Sequence, residues 1–290
     1  MELVSEPEPD VEFVILGFEM AGRLPALFDE LPRLRVIQSL SAGVDWLLPK
    51  VPVGIVVCRA VGVHDGPVSE WVVASILAIR RRLLEFWDVQ RRAEWNRDLA
   101  EANDSWNHPI DDLEGATVLV VGHGLIGRAL AARLAPFGAH VVGVARHSRD
   151  DAHSTDELPR LLPEADIVVN LLPLTPETER FVDGPFFSRM KPGALFVNAG
   201  RGKTVDTEAL VQALGSGRIR AALDVTDPEP LPSDHPLWHA PNLLITPHIA
   251  GTVSRWESRG YRFAGEQIRR YAAGRPLLGV ETAGTPARNA

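Results

Sequence analysis

The amino-acid sequence predicts an α/β fold made of two doubly wound parallel-sheet domains. Apolar strand patterns alternate with helical patterns along most of the chain, which is typical of a parallel sheet covered by helices. A length of 290 residues suits two domains of ordinary size. A glycine-rich turn at Gly122–Gly127 joins an apolar strand to an apolar helix, as such folds require. We assign residues 1–65 and 252–290 to the first domain and residues 66–251 to the second.

The first domain contains three short apolar runs and one helical pattern. The runs predict strands at Phe13–Leu16, Arg35–Leu40 and Ile55–Cys58. The helical pattern predicts a helix at Leu24–Leu31. A turn is expected at Ser41–Asp45. The helical pattern over Ser254–Ala273 follows the last strand of the second domain, so we expect it to return to the first. The tail Glu281–Ala290 is expected to fray.

One long helical pattern runs from Pro67 to Arg92. It is longer and more apolar than a crossover between strands requires, so we interpret it as an inter-domain or inter-subunit element. Because a C2 dimer is the commonest symmetric assembly, we expect a homodimer. The arginines Arg80–Arg82 are expected on a solvated helix face. The stretch Asn96–Asp112 has no sustained period and predicts a loop.

The second domain repeats strand and helix. The clearest helices are Leu125–Phe137 and Thr207–Gly215. Strands are expected at Val118–Val121, His140–Val144, Ile167–Asn170, Leu195–Asn198, Ala221–Val225 and Leu243–Thr246.

The turn Gly122-x-Gly124-x-x-Gly127 has the spacing of a dinucleotide-binding fingerprint. Gly122 would allow the tight turn, Gly124 would let the backbone approach a pyrophosphate, and Gly127 would let helix and strand pack closely. The pyrophosphate would meet the helix N-terminus, where the amides around Leu125 and Ile126 have no helical partner. A glycine-rich surface turn is the alternative. The strand before and the helix after favour a Rossmann-like nucleotide-binding domain, with His123 pointing to solvent beside the cofactor.

The end of the second strand indicates which cofactor is used. In NAD-binding units an acidic residue about 20 positions past the glycines binds the ribose 2′-hydroxyl. Here Ala145 and Arg146 stand at that place, with Arg146 nineteen residues after Gly127, followed by Ser148 and Arg149. These donors suit a 2′-phosphate, which arginine can grip with its fork. We therefore expect NADP(H) to be preferred and NAD(H) to be possible; ordinary solvated arginines are the alternative.

Three polar residues follow the late strands of the second domain. Arg201, Glu229 and His248 lie in the segments just past three successive strands, at sequence gaps of 28 and 19 residues. Since the carboxyl ends of parallel strands meet at one sheet edge, we expect these side chains to converge there. Each alone could be a surface arginine, a loop carboxylate or a capping histidine. Together they predict a catalytic site.

With these motifs the chain resembles the D-isomer-specific 2-hydroxyacid dehydrogenases, particularly the glyoxylate/hydroxypyruvate reductase branch. The resemblance covers most of the chain and includes Leu40–Asp45, Val68–Trp71, Gly122–Gly127, Leu171–Thr178, Asn198–Gly202, Asp224–Pro230 and Thr246–Gly251. It implies two Rossmann-like or flavodoxin-like domains with a cleft between them. It also places the long helix region at a two-fold interface.

The resemblance implies roles for individual residues. Arg201 matches the arginine that clamps the substrate carboxylate and carbonyl, and Glu229 and His248 match the acid-orienting pair. The residues that match the family's contacts on the nicotinamide side are Pro173, Ala199, Asp224 and Ala250. The residues that match its substrate-binding loop are Ala42, Gly43 and Val44. Ala145 and Arg146 depart from the common acidic residue, which again favours NADP(H).

The expected function is hydride transfer between NADP(H) or NAD(H) and a small 2-oxo acid or D-2-hydroxy acid, similar to glyoxylate or hydroxypyruvate reduction. Two alternatives remain. One is a phosphite- or formate-type dehydrogenase, although formate oxidation in this family goes with glutamine before the histidine, where this chain has Pro247. The other is a nucleotide-sensing binding protein without catalysis, which need not keep the three polar residues together.

Composition and residue patterns limit the partners, the metal content and the location that we expect. A net charge of −8 and a pI near 5.6 argue against nucleic acid or anionic membrane as a main partner. The histidines lack ligand spacing with carboxylates or cysteine, so no metal is expected. The N-terminus has no secretory pattern, which predicts a cytoplasmic protein. The single cysteine, Cys58, ends an apolar strand and is expected to be buried and inert.

Overall fold

The computed structural model describes residues 8–101 and 110–281. They divide into two compact units, one formed by residues up to His64 and from Thr252 onwards, the other by Asp65–Gly251. The strands within the described residues are β1 (Phe13–Leu16), β2 (Val36–Ser39), β3 (Val56–Cys58), β4 (Thr117–Val121), β5 (His140–Ala145), β6 (His153–Ser154), β7 (Ile167–Asn170), β8 (Leu195–Asn198), β9 (Arg220–Leu223), β10 (Leu243–Ile245) and β11 (Val280–Glu281).

The helices follow the strands in nearly regular alternation. They are α1 (Leu24–Glu30), α2 (Asp65–Arg80), α3 (Leu83–Arg91), α4 (Asp98–Glu101), α5 (Leu125–Leu134), α6 (Leu158–Leu161), α7 (Gly184–Arg189), α8 (Thr207–Gly215) and α9 (Trp256–Ala272). No helix in the described part of the chain is long and apolar enough to cross a membrane.

The first unit holds a four-stranded sheet in the order β1-β2-β3-β11. The first three strands are parallel, and β11 pairs antiparallel with β3. Its core contains Leu16, Ile37 and Leu47, each with 0% of its surface exposed. The buried amide of Gln267 in α9 donates to Gln38 Oε1 of β2 at 2.9 Å, so the final helix packs on this sheet. Cys58 is buried, and burial raises the pKa of its thiol to about 12.

The second unit holds a seven-stranded parallel sheet in the order β10-β9-β8-β7-β4-β5-β6. The order reverses between β4 and β7, which makes this the point where α/β folds bind ligands at the strands' carboxyl ends. The strands β7, β8 and β9 are buried at every residue, because helices cover both faces of the sheet. One face packs on α2 and α5, and the other on α7 and α8. The predicted α/β fold class is confirmed.

Gly122 lies at the reversal point. Its φ of +94° is in the left-handed region, and a Cβ there would lie 2.7 Å from the carbonyl carbon of Leu171 after β7. Only glycine lets the ends of β4 and β7 approach this closely.

The helix predicted over Pro67–Arg92 is wrong as one continuous element. It is two helices, α2 and α3, separated at Arg82, whose φ is +53°. The predicted solvated face is also wrong for Arg80 and Arg82, which are only 8% and 2% exposed. Arg80 donates two hydrogen bonds to Asp112 O, at 2.9 and 2.7 Å, and Arg82 Nη1 donates to Leu99 O at 2.6 Å. These arginines therefore fasten the segment between α3 and β4.

Other differences are local. The predicted loop Asn96–Asp112 contains the short helix α4. Residues 102–109 of this loop lie outside the described residues. The predicted helix Leu125–Phe137 is α-helical to Leu134 and then tightens into a 3-10 turn. The strands β6 and β11 were not predicted, because each has two residues and shows no period. Of the tail, Glu281 belongs to β11, and residues 282–290 lie outside the described part.

Candidate active site

The glycine turn forms an open cradle at the N-terminus of α5. Gly124 is the N-cap residue and has no side chain, so the amides of Leu125, Ile126 and Gly127 have no capping side chain. The first helical bond is from Arg128 N to Gly124 O, at 3.0 Å. A Cβ on Gly127 would lie 3.2 Å from Val120 Cγ1, so the third glycine permits the close contact of helix and strand. These features fit a dinucleotide pyrophosphate, which needs free amides and a backbone it can approach.

The prediction that His123 points to solvent is wrong. The side chain is 6% exposed, and its ring packs on Gly143 of β5, where a Cβ would lie 2.6 Å from His123 Cγ. Burial lowers the pKa of His123. Its Nε2 lies 3.8 Å from Asp151 Oδ2, and its buried Nδ1 finds no hydrogen-bond partner among the described residues. The buried His123 ring therefore packs the glycine turn against β5.

The residues predicted to select the cofactor lie at the end of β5. Arg146, Ser148 and Arg149 are all exposed. The Arg149 guanidinium donates from Nε to Asp151 Oδ1 at 2.8 Å and from Nη2 to the carbonyl of His123. Arg149 is therefore fixed against the glycine turn, which the sequence pattern alone did not indicate.

Arg146 has a carboxylate in its neighbourhood. The pKa of Glu177 is lowered, chiefly by a hydrogen bond from the Thr175 hydroxyl and to a smaller extent by the charge of Arg146. The Thr175 Oγ1 to Glu177 Oε2 distance is 2.8 Å. The end of β5 is thus a mixed-charge surface with an excess of arginine.

The backbone of Arg201 is held by a buried polar network. Asn170 and Asn198 end the neighbouring strands β7 and β8, and Asn170 Nδ2 donates to Asn198 Oδ1 at 3.1 Å and to Thr204 Oγ1 at 2.8 Å. The carbonyl of Arg201 accepts from Thr204 Oγ1 at 2.6 Å and from Asn198 Nδ2 at 3.3 Å. Asn198 Oδ1 also accepts from Gly200 N at 3.1 Å. The network fixes the turn that presents the Arg201 side chain.

The Arg201 turn packs directly on the loop that carries Glu229. A Cβ on Gly202 would lie 1.9 Å from the carbonyl oxygen of Thr226, so only glycine fits there. The same loop is anchored by Thr207 Oγ1, which donates to Asp227 O at 2.8 Å. This contact joins the two segments through their backbones, and the convergence of the Arg201 side chain with Glu229 and His248 stays a prediction.

Glu229 and His248 are in hydrogen-bond contact. The distance from His248 Nδ1 to Glu229 Oε1 is 2.6 Å, and the side chains of His248 and Glu229 are 48% and 42% exposed. A contact this exposed contributes little to the free energy of unfolding. Its effect is on the orientation of the imidazole, because Nδ1 bound to the carboxylate leaves Nε2 for another partner.

Asp224 holds the backbone around His248. This carboxylate is 3% exposed and accepts from Thr246 Oγ1, Ile249 N and Ala250 N, at 2.7, 2.8 and 2.8 Å. The carbonyl of Asp224 accepts from His248 N at 2.7 Å. His248 itself has a φ of +55°, a strained value for a residue with a side chain. Asp224 thus imposes the turn that directs His248.

The remaining predicted positions divide between the two units. In the second unit, Pro173 follows β7, and its carbonyl accepts from Thr178 Oγ1 at 2.6 Å. Ala199 follows β8 and donates its amide to Asn170 O at 3.2 Å. In the first unit, Ala42, Gly43 and Val44 follow the carboxyl end of β2. The Val44 carbonyl accepts from the amides of Leu47 and Leu48.

Three comparisons with known proteins bear on this arrangement. The family model for the D-isomer specific 2-hydroxyacid dehydrogenase NAD binding domain matches residues 73–250. A mouse (Mus musculus) glyoxylate reductase/hydroxypyruvate reductase is 37% identical over 269 residues, covering 85% of this chain and 79% of the mouse protein.

Two solved structures are also similar. One is a probable 2-hydroxyacid dehydrogenase from Rhizobium etli CFN 42 in complex with NADP, HEPES and L(+)-tartaric acid, with a TM-score of 0.78, 33% identity, and coverage of 96% of this chain and 87% of that one. The other is an NADPH-dependent glyoxylate/hydroxypyruvate reductase from Sinorhizobium meliloti in complex with NADP and sulfate, with a TM-score of 0.81, 28% identity, and coverage of 97% and 88%.

The chain belongs to the D-isomer specific 2-hydroxyacid dehydrogenase family. It is an oxidoreductase that uses a nicotinamide dinucleotide.

Proposed function

We propose that the protein reduces a small 2-oxo acid of the glyoxylate or hydroxypyruvate kind to the D-2-hydroxy acid, with NADP(H) preferred and NAD(H) possible. The observation that carries this proposal is the 2.6 Å contact of His248 Nδ1 with Glu229 Oε1, on the sheet edge that also bears the glycine cradle. A paired histidine at that edge supplies the proton donor that carbonyl reduction needs.

The chemistry divides between cofactor and protein. The reduced nicotinamide supplies the hydride when it is bound. Arg201 binds the carboxylate of the 2-oxo acid and polarises its carbonyl, since a guanidinium can contact both with its fork of donors. His248 Nε2 gives a proton to the carbonyl oxygen as negative charge develops there. Glu229 stabilises the imidazolium and fixes its orientation. In the oxidative direction His248 accepts the proton.

Several neighbouring groups complete the proposed site. The glycine cradle with Leu125 and Ile126 binds the pyrophosphate, and Pro173, Ala199, Asp224 and Ala250 line the nicotinamide side. Because the Asp224 carboxylate already accepts three hydrogen bonds from residues 246–250, we assign it a positioning role beside any contact with the cofactor. Ala42, Gly43 and Val44 of the first unit are proposed as substrate-binding residues through their backbone amides.

The NADP(H) preference rests on the end of β5. Ala145 has no acceptor for a ribose 2′-hydroxyl, whereas Arg146, Ser148 and Arg149 are exposed donors at that place. The structural relatives from Rhizobium etli and Sinorhizobium meliloti were both solved with NADP. These observations favour a 2′-phosphate over a free hydroxyl.

The proposed assembly is a homodimer. Helix α3 exposes Leu83, Leu84 and Trp87 to solvent by 53%, 39% and 57%. A cavity of about 190 Å³ lies beside this helix. A second copy covering α3 would remove these apolar side chains from water.

A substrate screen tests the proposal. Purified protein is assayed with glyoxylate, hydroxypyruvate and bulkier 2-oxo acids, each with NADPH and with NADH, and with formate and phosphite in the oxidative direction. We expect turnover of small 2-oxo acids with NADPH ahead of NADH. Nucleotide binding without any turnover would instead favour a sensor, and oxidation of formate or phosphite alone would favour the other dehydrogenase.

A further inference from the structure

Asp151 holds two arginines that come from different elements. Arg128 lies in the first turn of α5, and its Nε donates to Asp151 Oδ2 at 2.7 Å. Arg149 lies after β5, and its Nε donates to Asp151 Oδ1 at 2.8 Å. Both oxygens of the carboxylate are thus engaged, and the two guanidinium groups are brought to the two sides of one side chain.

The turn that carries Asp151 is itself fixed to the glycine cradle. Two backbone bonds close it, from Arg149 N to Ala152 O at 2.8 Å and from Ala152 N to Arg149 O at 3.0 Å. Arg149 Nη2 donates to the carbonyl of His123 within the cradle. The buried ring of His123 packs on Gly143 of β5, beside the carbonyl of Asp151. The cluster therefore has a defined position next to the end of β5, where a Rossmann fold receives the adenosine ribose.

The cluster keeps donors for a ligand. Arg128 uses only Nε on Asp151, so its two terminal nitrogens have no partner among the described residues, and neither does Nη1 of Arg149. The side chains of Arg128, Arg149 and Asp151 are 44%, 33% and 41% exposed. Ion pairs this exposed add little to stability. Their arrangement is therefore better explained by recognition than by folding.

The charge also suits a phosphate. Hydrogen bonds from Arg128 and Arg149 lower the pKa of Asp151 to about 2, so the carboxylate is ionised at neutral pH. Two arginines and one aspartate carry a net charge of +1, and the further charge of Arg146 is offset by the neighbouring Glu177. A phosphate monoester carries about −1.5 to −2 at pH 7.

We propose that Arg128 is a further binding residue for the 2′-phosphate of the cofactor, and that Asp151 is the positioning residue that holds Arg128 and Arg149 toward it. The inference rests on the proposed preference for NADP(H). Arg128 was outside the sequence prediction because it lies in the helix, one residue past the glycine motif, and not in the segment after β5.

Direct binding of 2′,5′-ADP and 5′-AMP tests the role of Arg128, because these ligands differ only in the 2′-phosphate. Arg128→Gln should weaken 2′,5′-ADP about tenfold and leave 5′-AMP within about twofold, as expected for a lost charged hydrogen bond. The matched control is Arg133→Gln, an arginine of the same helix whose Nη2 pairs with Glu70 at 3.3 Å. It should change neither affinity.

The outcomes separate this inference from the cofactor preference on which it rests. If the unaltered protein binds both nucleotides equally, the preference for NADP(H) fails and the role of Arg128 fails with it. If the unaltered protein prefers 2′,5′-ADP and Arg128→Gln keeps that preference, only the role of Arg128 is overturned. Calorimetric titration gives both affinities without any assay of turnover.

Asp151→Asn tests the positioning role, because the loss of charge and the loss of positioning predict opposite changes in the affinity for 2′,5′-ADP. Removal of a negative charge should by itself raise the affinity for a phosphate. Loss of positioning should lower it. We expect 2′,5′-ADP to bind roughly threefold more weakly, with 5′-AMP unchanged and Asp151→Glu restoring part of the loss. Unchanged or tighter binding of 2′,5′-ADP by Asp151→Asn would overturn the positioning role.

Discussion

Two carboxylates act on His248 at different places. Glu229 contacts the imidazole, whereas the buried Asp224 carboxylate accepts hydrogen bonds from the Thr246 hydroxyl before the histidine and from the Ile249 and Ala250 amides after it. A non-glycine residue in a left-handed conformation costs about 1–3 kcal/mol, so the surrounding bonds must enforce it. These two contacts explain how the exposed side chain of His248 is oriented. Asp224 fixes the backbone segment that carries it, and Glu229 fixes its ring.

The contact of Glu229 with His248 predicts a loss of activity. In Glu229→Gln a neutral amide replaces the carboxylate that holds Nδ1 of the proposed proton donor, so kcat/KM for 2-oxo acid reduction should fall by about tenfold or more. Steady-state kinetics of reduction gives this ratio. Glu208→Gln, an exposed carboxylate on α8, is the control and should leave kcat/KM unchanged. Unaltered kcat/KM in Glu229→Gln would mean that Glu229 is only a loop residue.

Arg201 should be indispensable for reduction. Arg201→Ala removes the proposed carboxylate anchor and a charge near the developing oxyanion, so kcat/KM should fall by about 100-fold or more. Arg201→Lys should recover little, because an ammonium cannot form the forked contact. Cofactor affinity should stay within a few-fold. Lys203→Ala, an exposed cation two residues away, is the control. Near-normal turnover in Arg201→Ala would contradict the assignment.

The turn after β8 depends on polar residues that end apolar strands. Asn170 and Asn198 are 0% and 1% exposed, and together with Thr204 they bind the backbone of the Arg201 turn. The sequence contained a signal, since each asparagine closes a run of apolar residues at the carboxyl end of a predicted strand. The pattern marks both residues only as the ends of strands. Their function required knowing that β7 and β8 are neighbours in register, with Asn170 opposite Asn198.

Asn198→Ala should therefore affect both stability and activity. It leaves Asn170 Nδ2 and Gly200 N each short of an acceptor, and an unsatisfied buried polar group costs about 1–3 kcal/mol. Urea unfolding followed by circular dichroism should show this loss, and kcat should fall because the turn that presents Arg201 loosens. Asn198→Asp, which keeps the acceptor but loses the donor to Arg201 O, should be intermediate. No change in either quantity would contradict a supporting role for the network.

At the same scale, the predicted elements were most accurate where the apolar run ended abruptly. The bounds of β7, β8 and α8 were predicted without error, since asparagine or glycine ends each pattern. The break between α2 and α3 was missed because arginine is a good helix former, and the bond from Arg82 to Leu99 O joins residues far apart in sequence. The burial of His123 was missed for a similar reason. It depends on Gly143 of the neighbouring strand, and no local pattern reveals that contact.

At the scale of the whole molecule, one region of the second unit's surface is apolar. Net charge is −8, yet α3 exposes Leu83, Leu84 and Trp87 beside a cavity of about 190 Å³. Exposed apolar groups that cluster in this way mark interaction sites. We therefore propose this face of α3 as the contact between two copies of the chain.

This surface predicts the outcome of sedimentation measurements. The chain has a mass of 31.7 kDa, and we expect a species of twice that mass at micromolar concentration. Trp87→Glu places a charge in the centre of the proposed contact and should shift the equilibrium to monomer, because burying an unpaired charge is costly. Phe137→Glu is the matched control, since Phe137 is an exposed aromatic residue (43%) that follows α5 and should leave the assembly intact. A mass near 31.7 kDa at every concentration would refute the dimer. A dimer that Trp87→Glu leaves unaltered would show instead that the two copies meet through another surface.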